Sequence, residues 1–288
     1  MSKKTESKKK IFTILGIIAV FLVVSVLILY NQGFLDGSGM SADPSSDIST
    51  SEPPSLSEIH TTEPLSIKIG RSDYSYPPLH YYDEKKELVG FDIDLARAVA
   101  EIMAAEIEFV SIDWAIKGEA LESGTVDLLW GGLSPSSSLD HKKTSFTKPY
   151  LRSDIVLLMD EDKDYAQFED LQGLQVCALY FTAAFDYLQS YRKYVIKPKQ
   201  ALTPAEYKAV IRSLSSGEAD CIITDTCFAA FFLRENEEPY KISDPLLEES
   251  YVVAVRAEDT ELLGLLQGAL DELEENGTIN RLKEKWLS

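Results

Sequence analysis

The chain is poor in the side chains that build metal centres and disulfide frameworks. Its 288 residues contain three cysteines and three histidines. Cys177, Cys221 and Cys227 form no C-x-x-C pair, and the histidines are scattered, so the spacing predicts no metal site. We expect the three thiols to be small buried apolar side chains. Cys221 and Cys227 flank a strand-like run, however, and could approach each other.

Basic side chains are also scarce. The chain has 28 lysines and arginines against 47 acidic residues, a formal net charge of −19. The first thirty residues hold five lysines and one glutamate, which leaves 23 basic and 46 acidic residues in the rest. A surface of this sign repels phosphate backbones and argues against nucleic acid as a partner. We interpret the acidity as a source of solubility.

One long apolar run is present, and it stands at the N-terminus. Residues 11–30 carry no charge and follow five lysines within residues 1–10. As a helix they would span roughly 30 Å, the thickness of a hydrocarbon core, whereas a cleavable signal has an apolar core of about 7–15 residues. No cysteine lies near the end of the run, which excludes a lipoprotein cleavage site. The pattern predicts a single-pass membrane anchor, with residues 1–10 in the cytoplasm and the head outside, and the alternative is a long signal that is cleaved.

Residues 31–64 predict a disordered linker. They are rich in Ser, Pro, Gly, Thr and acidic residues and lack apolar periodicity. Such a tether would let a globular head move near the membrane surface.

From Leu65 onward the pattern predicts an α/β head, because strand-like and helix-like segments alternate. We expect largely parallel sheets. Residues 90–103 place their apolar side chains on one helical face, and Asp92 stands where an N-cap belongs. Residues 121–127 and 214–220 are matching units of helix end, glycine turn and strand start, which predicts two similar halves.

The stretch 90–103 resembles the signature of family 3 of the bacterial extracellular solute-binding proteins, which bind polar amino acids for ABC transporters. The resemblance extends over residues 65–288, and its motifs are specific through their order and spacing. The further matching segments are Asp73 with Tyr76-Pro77-Pro78, Asp113-Trp114, residues 123–127, 146–150 and 220–225, and Asn276-Gly277-Thr278 followed by residues 284–286.

This resemblance implies a type II periplasmic-binding-protein fold, in which two α/β lobes are joined by two hinge strands. The first lobe would comprise residues 65–152 plus 250–288, and the second residues 153–249. An amino-acid-like ligand would lie between the lobes and be enclosed by a hinge motion. The implied partner is the permease of an ABC importer, and no cofactor is expected.

The resemblance also implies the ligand-binding residues. Tyr76 and Trp114 would sandwich the ligand's side chain, and Asp225 would pair with its α-ammonium group. Aromatic packing and a helix N-cap are the respective alternatives. Serines replace two threonines of a binding loop, where they could instead serve local turn chemistry. The candidate residues are Asp73, Tyr76, Trp114, Gly132, Ser134, Ser136, Arg152, Thr182 and Asp225.

The chain departs from the family pattern in two places. The arginine that grips the ligand's α-carboxylate is absent, and the segment that should hold it, residues 137–144, is one residue longer. Lys142 or Arg152 could substitute, or both could be surface charges. Phe181 and Ala183 replace small residues and would narrow the pocket. These differences leave a modified amino acid, an amine, a peptide-like solute or a lost ligand site open.

Three functions follow from these patterns. We expect a transport receptor that delivers solute to an ABC importer. The alternative is a ligand-sensing or interaction module on the same scaffold, which the missing arginine motivates. Some dehydratases of prephenate-like substrates share the fold, but the sequence shows no Ser/His/Asp or Cys/His constellation, so we predict no catalytic residues. A lone acid such as Asp225 leaves this third reading open.

Overall fold

The computed structural model describes residues 65–135, 139–180, 182–194, 200–202, 207–235 and 239–288. The predicted anchor at 11–30, the linker at 31–64, Ser136 and Phe181 lie outside this set. Within the described residues, no helix combines the length and the hydropathy needed to cross a membrane.

The described strands are short and follow one another along the whole head. They are β1 (Leu65–Ser72), β2 (Tyr81–Tyr82), β3 (Leu88–Val89), β4 (Ala105–Ile112), β5 (Leu128–Leu129), β6 (Thr144–Phe146), β7 (Leu151–Arg152), β8 (Ile155–Asp160), β9 (Gln175–Cys177), β10 (Gln200–Leu202), β11 (Cys221–Asp225), β12 (Tyr240–Ile242), β13 (Ser250–Tyr251) and β14 (Ala254–Arg256).

Helices separate many of these strands. They are α1 (Phe91–Ile102), α2 (Lys117–Glu122), α3 (Ala183–Tyr194), α4 (Tyr207–Ser215), α5 (Thr226–Glu235), α6 (Thr260–Glu275) and α7 (Thr278–Leu287), with short 3₁₀ helices at Trp114–Ile116 and Phe168–Leu171.

The strands form two five-stranded sheets with the same plan. The first has the order β4-β1-β5-β14-β6, and the second has the order β10-β9-β11-β8-β12. The first three strands in each of these orders are parallel to one another. The fourth strand, β14 in the first sheet and β8 in the second, is antiparallel to both of its neighbours. The expectation of largely parallel sheets was therefore wrong. The sheets are mixed because the two strands that enter from the connection between the sheets run against their neighbours.

A short two-stranded ribbon connects the sheets. The chain leaves the first sheet after β6, passes through β7 into β8, and returns through β13 to β14. In the ribbon Arg152 pairs with Ser250 and Leu151 pairs with Tyr251. We call the first sheet with α1, α2, α6 and α7 the first lobe, and the second sheet with α3, α4 and α5 the second lobe.

Helix α1 illustrates how the sequence builds the first lobe. Its apolar side chains recur at helical spacing, and Phe91, Leu95 and Val99 are buried against Ile67 and Ile69 of β1. Helices α6 and α7 pack against α1, so the end of the chain returns to the lobe in which the head begins.

All three cysteines are buried free thiols, as the composition predicted. Cys177 lies on β9 and Cys221 on the adjacent strand β11, whereas Cys227 lies in α5. The approach of Cys221 and Cys227 that the sequence allowed has produced no disulfide.

Candidate functional site

Asp225 ends strand β11 in the second lobe and is 1% exposed. Its Oδ1 accepts hydrogen bonds from the Ser153 hydroxyl at 2.7 Å and from the backbone N–H groups of Cys227 and Phe228 at 3.0 and 3.1 Å. The carboxylate therefore caps helix α5, which satisfies amide donors that have no partner within the helix. Its Oδ2 accepts a hydrogen bond from the hydroxyl of Tyr76.

Tyr76 reaches this carboxylate from the first lobe. It lies in the loop after β1, and its buried ring stacks on Phe228 with centroids 6.1 Å apart and planes inclined by 20°. Burial, together with the negative charge of Asp225, raises the pKa of the Tyr76 hydroxyl well above its ordinary value. The hydroxyl thus keeps its proton and donates it, and the hydrogen bond joins the two lobes.

The balance of charge at Asp225 is unusual for a buried acid. Among the described residues it has four donors, a serine hydroxyl, a tyrosine hydroxyl and two backbone amides, and all four are neutral. A buried carboxylate is expensive unless it is paired or fully hydrogen-bonded. The four neutral donors meet the hydrogen-bonding requirement, and the Tyr76 hydroxyl is the one that a cationic donor could replace without disturbing helix α5.

Gly132 lets the ring of Tyr76 lie close to the loop after β5. Its φ is +63°, and a Cβ atom at this position would lie 2.9 Å from Leu79 Cδ1 and 3.0 Å from Tyr76 Cε1. Glycine is required on both counts, since it adopts a positive φ without strain and leaves room for the ring. Ser134, in the same loop, is buried.

Asp92 fixes this loop from behind. Its Oδ2 accepts a hydrogen bond from the Gly132 N–H and its Oδ1 one from the Tyr150 hydroxyl, both at 2.9 Å. Burial raises the pKa of Asp92 to about 7. The expectation that Asp92 caps α1 was wrong, because the N-cap is Gly90 and Asp92 lies inside the first turn. Its carboxylate instead ties the loop to the segment that precedes the ribbon.

Trp114 and Lys117 form a second group in the first lobe. Trp114 is buried in an apolar cluster with Leu121 and Leu133. Lys117, the first residue of α2, is only 5% exposed. Its Nζ donates to the Trp114 carbonyl oxygen at 3.4 Å and lies 5.6 Å from the centroid of the Trp114 ring. Burial lowers the pKa of Lys117, and the negative charge of Asp186 in the second lobe opposes this effect.

Two other predicted residues lie at the ends of secondary-structure elements. Asp73 is exposed directly after β1. Thr182 precedes α3, where its Oγ1 donates to the Leu179 carbonyl at 2.8 Å and accepts from the Phe185 N–H at 3.2 Å. The Thr182 hydroxyl therefore caps the helix.

The two cations that could have replaced the missing arginine lie at the surface. Arg152 is exposed on the ribbon and forms ion pairs with Asp154 at 2.9 Å and with Glu248 at 3.1 Å. Lys142 is exposed as well. Leu139, in the lengthened segment, is buried in the apolar cluster of Trp114.

Sequence reasoning missed Ser153 and Lys117. Ser153 carries no local signal, because its role depends on its contact with Asp225, 72 residues further along the chain. Lys117 does carry a local signal, because it shares a helix face with the buried residues Ala120 and Leu121, where a lysine is unexpected.

The model of the bacterial extracellular solute-binding proteins, family 3, matches residues 67–288. The chain belongs to this family. It is 26% identical over 218 residues to the arginine-binding extracellular protein ArtP of Bacillus subtilis (strain 168), covering 74% of this chain and 83% of that protein.

Two solved structures extend this comparison. An ancestral arginine-binding protein bound to arginine is similar with a TM-score of 0.69 and 28% identity, covering 77% of this chain and 98% of that one. The ancestral amino acid-binding protein AncCDT-1, a precursor of cyclohexadienyl dehydratase, is similar with a TM-score of 0.69 and 26% identity, covering 81% and 99%. These likenesses confirm the predicted family and its type II periplasmic-binding-protein-like α/β fold.

Proposed function

We propose that this extracellular solute-binding protein takes up an amino acid, or a related small amine or acid, between its two lobes and delivers it to an ABC importer. The family supports the solute-binding role. The similarity to an arginine-binding protein of Bacillus subtilis and to an ancestral protein bound to arginine supports an amino-acid ligand.

The burial and the hydrogen bonds of Asp225 are the main support for this proposal. It is a buried carboxylate at the contact between the lobes, and its four donors within the described residues are neutral. The ammonium group of a solute would displace the Tyr76 hydroxyl at Oδ2 and form a charge-assisted hydrogen bond, which is stronger than a bond between neutral groups. The other three donors would remain in place.

The remaining binding residues form part of the same proposal. Tyr76, Gly132 and Ser134 would line the side of the first lobe, with Trp114 further along it, and Thr182 would lie at the start of α3 in the second lobe. The hydrogen bond from Tyr76 to Asp225 supports the assignment of Tyr76, and the close approach of Gly132 to the Tyr76 ring supports that of Gly132. Asp73, Ser136 and Arg152 stay as predictions from the resemblance, and Ser136 lies outside the described residues.

We further propose that the lobes, 65–152 with 250–288 and 153–249, open and close about the β7–β13 ribbon. Two short paired segments are all that connects the two sheets covalently, which suits a hinge. Opening would break the Tyr76–Asp225 hydrogen bond and admit solute. Closure would exclude water around it.

The N-terminal part would hold the head at the cell surface. We propose that residues 1–10 are cytoplasmic, that residues 11–30 span the membrane uncleaved, and that residues 31–64 form the linker. The full-length protein should then stay in the membrane fraction after extraction at alkaline pH. Release of the head into the soluble fraction would overturn the anchor.

The protein would act without catalysis and without a cofactor. AncCDT-1, although a precursor of a dehydratase, is itself described as an amino acid-binding protein, which agrees with binding as the function of this scaffold. A sensing role would use the same ligand site and differ only in the partner that responds to closure. Incubation with a prephenate-like acid should therefore leave that acid unchanged, and turnover would overturn the proposal.

Isothermal titration calorimetry tests the binding step. The purified full-length protein in detergent would be titrated with the common amino acids and with their decarboxylated amines. We expect one chemical class to bind and Asp225→Asn to weaken that binding by about 10- to 100-fold, because asparagine still caps α5 but lacks the charge. Asp162→Asn, at an exposed loop of the second lobe, is the matched control. Binding that is equal in wild type and Asp225→Asn would overturn the ammonium site.

A further inference from the structure

Lys117 is a buried cation whose hydrogen-bonding capacity is mostly unused. Its ammonium group has three donors, yet it forms one hydrogen bond within the part of the chain that the structure describes, at 3.4 Å to the Trp114 carbonyl. Among the described residues, no carboxylate oxygen lies within the 4.0 Å of an ion pair with it. A cation in this position is destabilised, because burial removes its hydration and little replaces it.

The surroundings of Lys117 suit an anion that arrives between the lobes. Trp114 supplies an aromatic face 5.6 Å from the Nζ atom, which offsets part of the cost of burial. An opposing charge belongs to the other lobe: Asp186, on α3, acts on Lys117 from beyond the distance of an ion pair. Asp186 is exposed, although partial desolvation raises the pKa of its carboxyl.

Three other basic residues could bind a carboxylate. Arg152 forms two ion pairs on the ribbon, and Lys142 is exposed at the surface. Arg71 is buried and donates from Nη1 to the Ser72 carbonyl and from Nη2 to the Tyr82 hydroxyl, which leaves its Nε without a partner among the described residues. Both of these acceptors belong to the first lobe. Lys117 is thus the buried cation of these four that combines unused donors with a position facing the second lobe.

We propose that Lys117 binds a carboxylate group of the transported solute. This inference rests on the proposed function, since it assigns the anionic end of the same solute whose ammonium group Asp225 would bind. A carboxylate at Nζ would supply the hydrogen bonds that the ammonium lacks, and the buried pair would be stronger than an exposed one. The protein would then select solutes that carry both a cation and a carboxylate.

Paired probes measure the contribution of the carboxylate. L-arginine is paired with L-argininamide, and L-glutamate with L-glutamine. In each pair, one carboxylate of the first compound is replaced by an amide in the second. The full-length protein in detergent would be titrated with each pair, as wild type, Lys117→Met, Lys117→Arg and Lys68→Met. Lys68 is an exposed lysine of β1 and serves as the matched control.

We expect Lys117→Met to weaken binding of the carboxylate-bearing member of the bound pair by about 10- to 100-fold and to leave the amide nearly unchanged. Lys117→Arg should restore most of the difference, and Lys68→Met should bind like wild type. Equal loss for acid and amide would show that Lys117 only supports the fold, which overturns the inference. An unchanged affinity in Lys117→Met, with a loss in Asp225→Asn, overturns this inference and leaves the proposed function standing. No binding of any amino acid or amine to wild type overturns both.

A second measurement follows the protons taken up on binding and compares wild type with Lys117→Arg, whose guanidinium stays protonated. A bound carboxylate should raise the pKa of Lys117, which burial now lowers. Titration at alkaline pH in two buffers of different ionisation enthalpy gives the proton uptake, and Lys117→Arg gives the share that belongs to the α-amino group of the probe. The uptake of wild type should exceed that of Lys117→Arg for the acid and match it for the amide. An equal excess for both probes would overturn the inference.

Discussion

The hydroxyl of Tyr76 in the first lobe donates a hydrogen bond to the carboxylate of Asp225 in the second. The two residues are 149 positions apart in the chain, and the bond exists only while the lobes are in contact. The donor belongs to the protein and stands where the ammonium of a solute is proposed to bind. Under the proposed function, the Tyr76 hydroxyl therefore competes with the ligand for Asp225.

This competition predicts opposite effects of Tyr76→Phe on stability and on affinity. Without the hydroxyl, Oδ2 of Asp225 loses a donor, and the free energy of unfolding of the ligand-free head should fall by about 1–3 kcal/mol. The ligand's ammonium would no longer displace a donor, so its affinity should rise. Chemical denaturation and calorimetry measure the two quantities. A loss of affinity in this variant, with Tyr165→Phe unchanged, would contradict the competition.

Gly132→Ala should damage the site more than Gly124→Ala. Both glycines have a positive φ, +63° and +73°, and an alanine there costs about 1–3 kcal/mol in strain. A Cβ at 132 also meets Tyr76 and Leu79, whereas one at 124 has no neighbour within 4 Å. We therefore expect Gly124→Ala to lower stability alone and Gly132→Ala to lower both stability and ligand affinity. Equal affinities in the two variants would disagree with this geometry.

Asp92 should make the stability of the head depend on pH. Its pKa is raised from the ordinary 3.8 to about 7 in the folded protein, so folding favours the protonated form. Its favourable contribution is fully present below about pH 4 and is lost as the pH rises through about 7. Asp92→Asn stays neutral throughout. The unfolding free energy of this variant relative to wild type should therefore increase from pH 4 to 8, as measured by denaturant titration at each pH. A constant difference would show that Asp92 does not titrate in this range.

Arg234 forms a further contact between the lobes. Its guanidinium, on α5, donates to the carbonyl oxygens of Trp286 and Ser288 at the end of α7, and it lies 5.4 Å from the centroid of Phe231. Arg234→Met keeps an apolar stem over the ring but removes both hydrogen bonds. We expect faster hydrogen exchange in α7 and faster release of ligand. Arg212→Met, at an exposed position of α4, is the control, and identical exchange in the two variants would rule out the link.

Local signals predicted the helices well. Residues 90–103 were predicted to be helical and α1 is Phe91–Ile102, and the helix end and glycine turn predicted within 121–127 match the end of α2 at Glu122 and the positive φ of Gly124. These boundaries depend on apolar periodicity and on a glycine of positive φ, which are properties of a few neighbouring residues. The strand start predicted within 121–127 comes later, at Leu128, since pairing with distant strands decides where a strand begins and ends.

The site was less accessible to prediction, because it depends on contacts between distant segments. The resemblance singled out Tyr76 and Asp225, but no pattern could show that they bind each other across the lobes. Lys117 follows Trp114 by three residues, yet only the packing of α2 reveals that its ammonium group is buried. Thr182 was predicted to be a ligand-binding residue, and in the structure its hydroxyl is engaged in capping α3.

The position of β14 also determines the order in which the chain can fold. This strand lies between β5 and β6 in the first sheet, although more than a hundred residues separate it from either of them in sequence. During synthesis, the strands of the second lobe therefore emerge from the ribosome before the first sheet can close. The proposed second lobe, residues 153–249, has both of its ends at the ribbon, so we expect it to fold while the first lobe still lacks the antiparallel strand β14. A chain that stops before residue 254 would leave β5 and β6 with exposed edges, which invite aggregation.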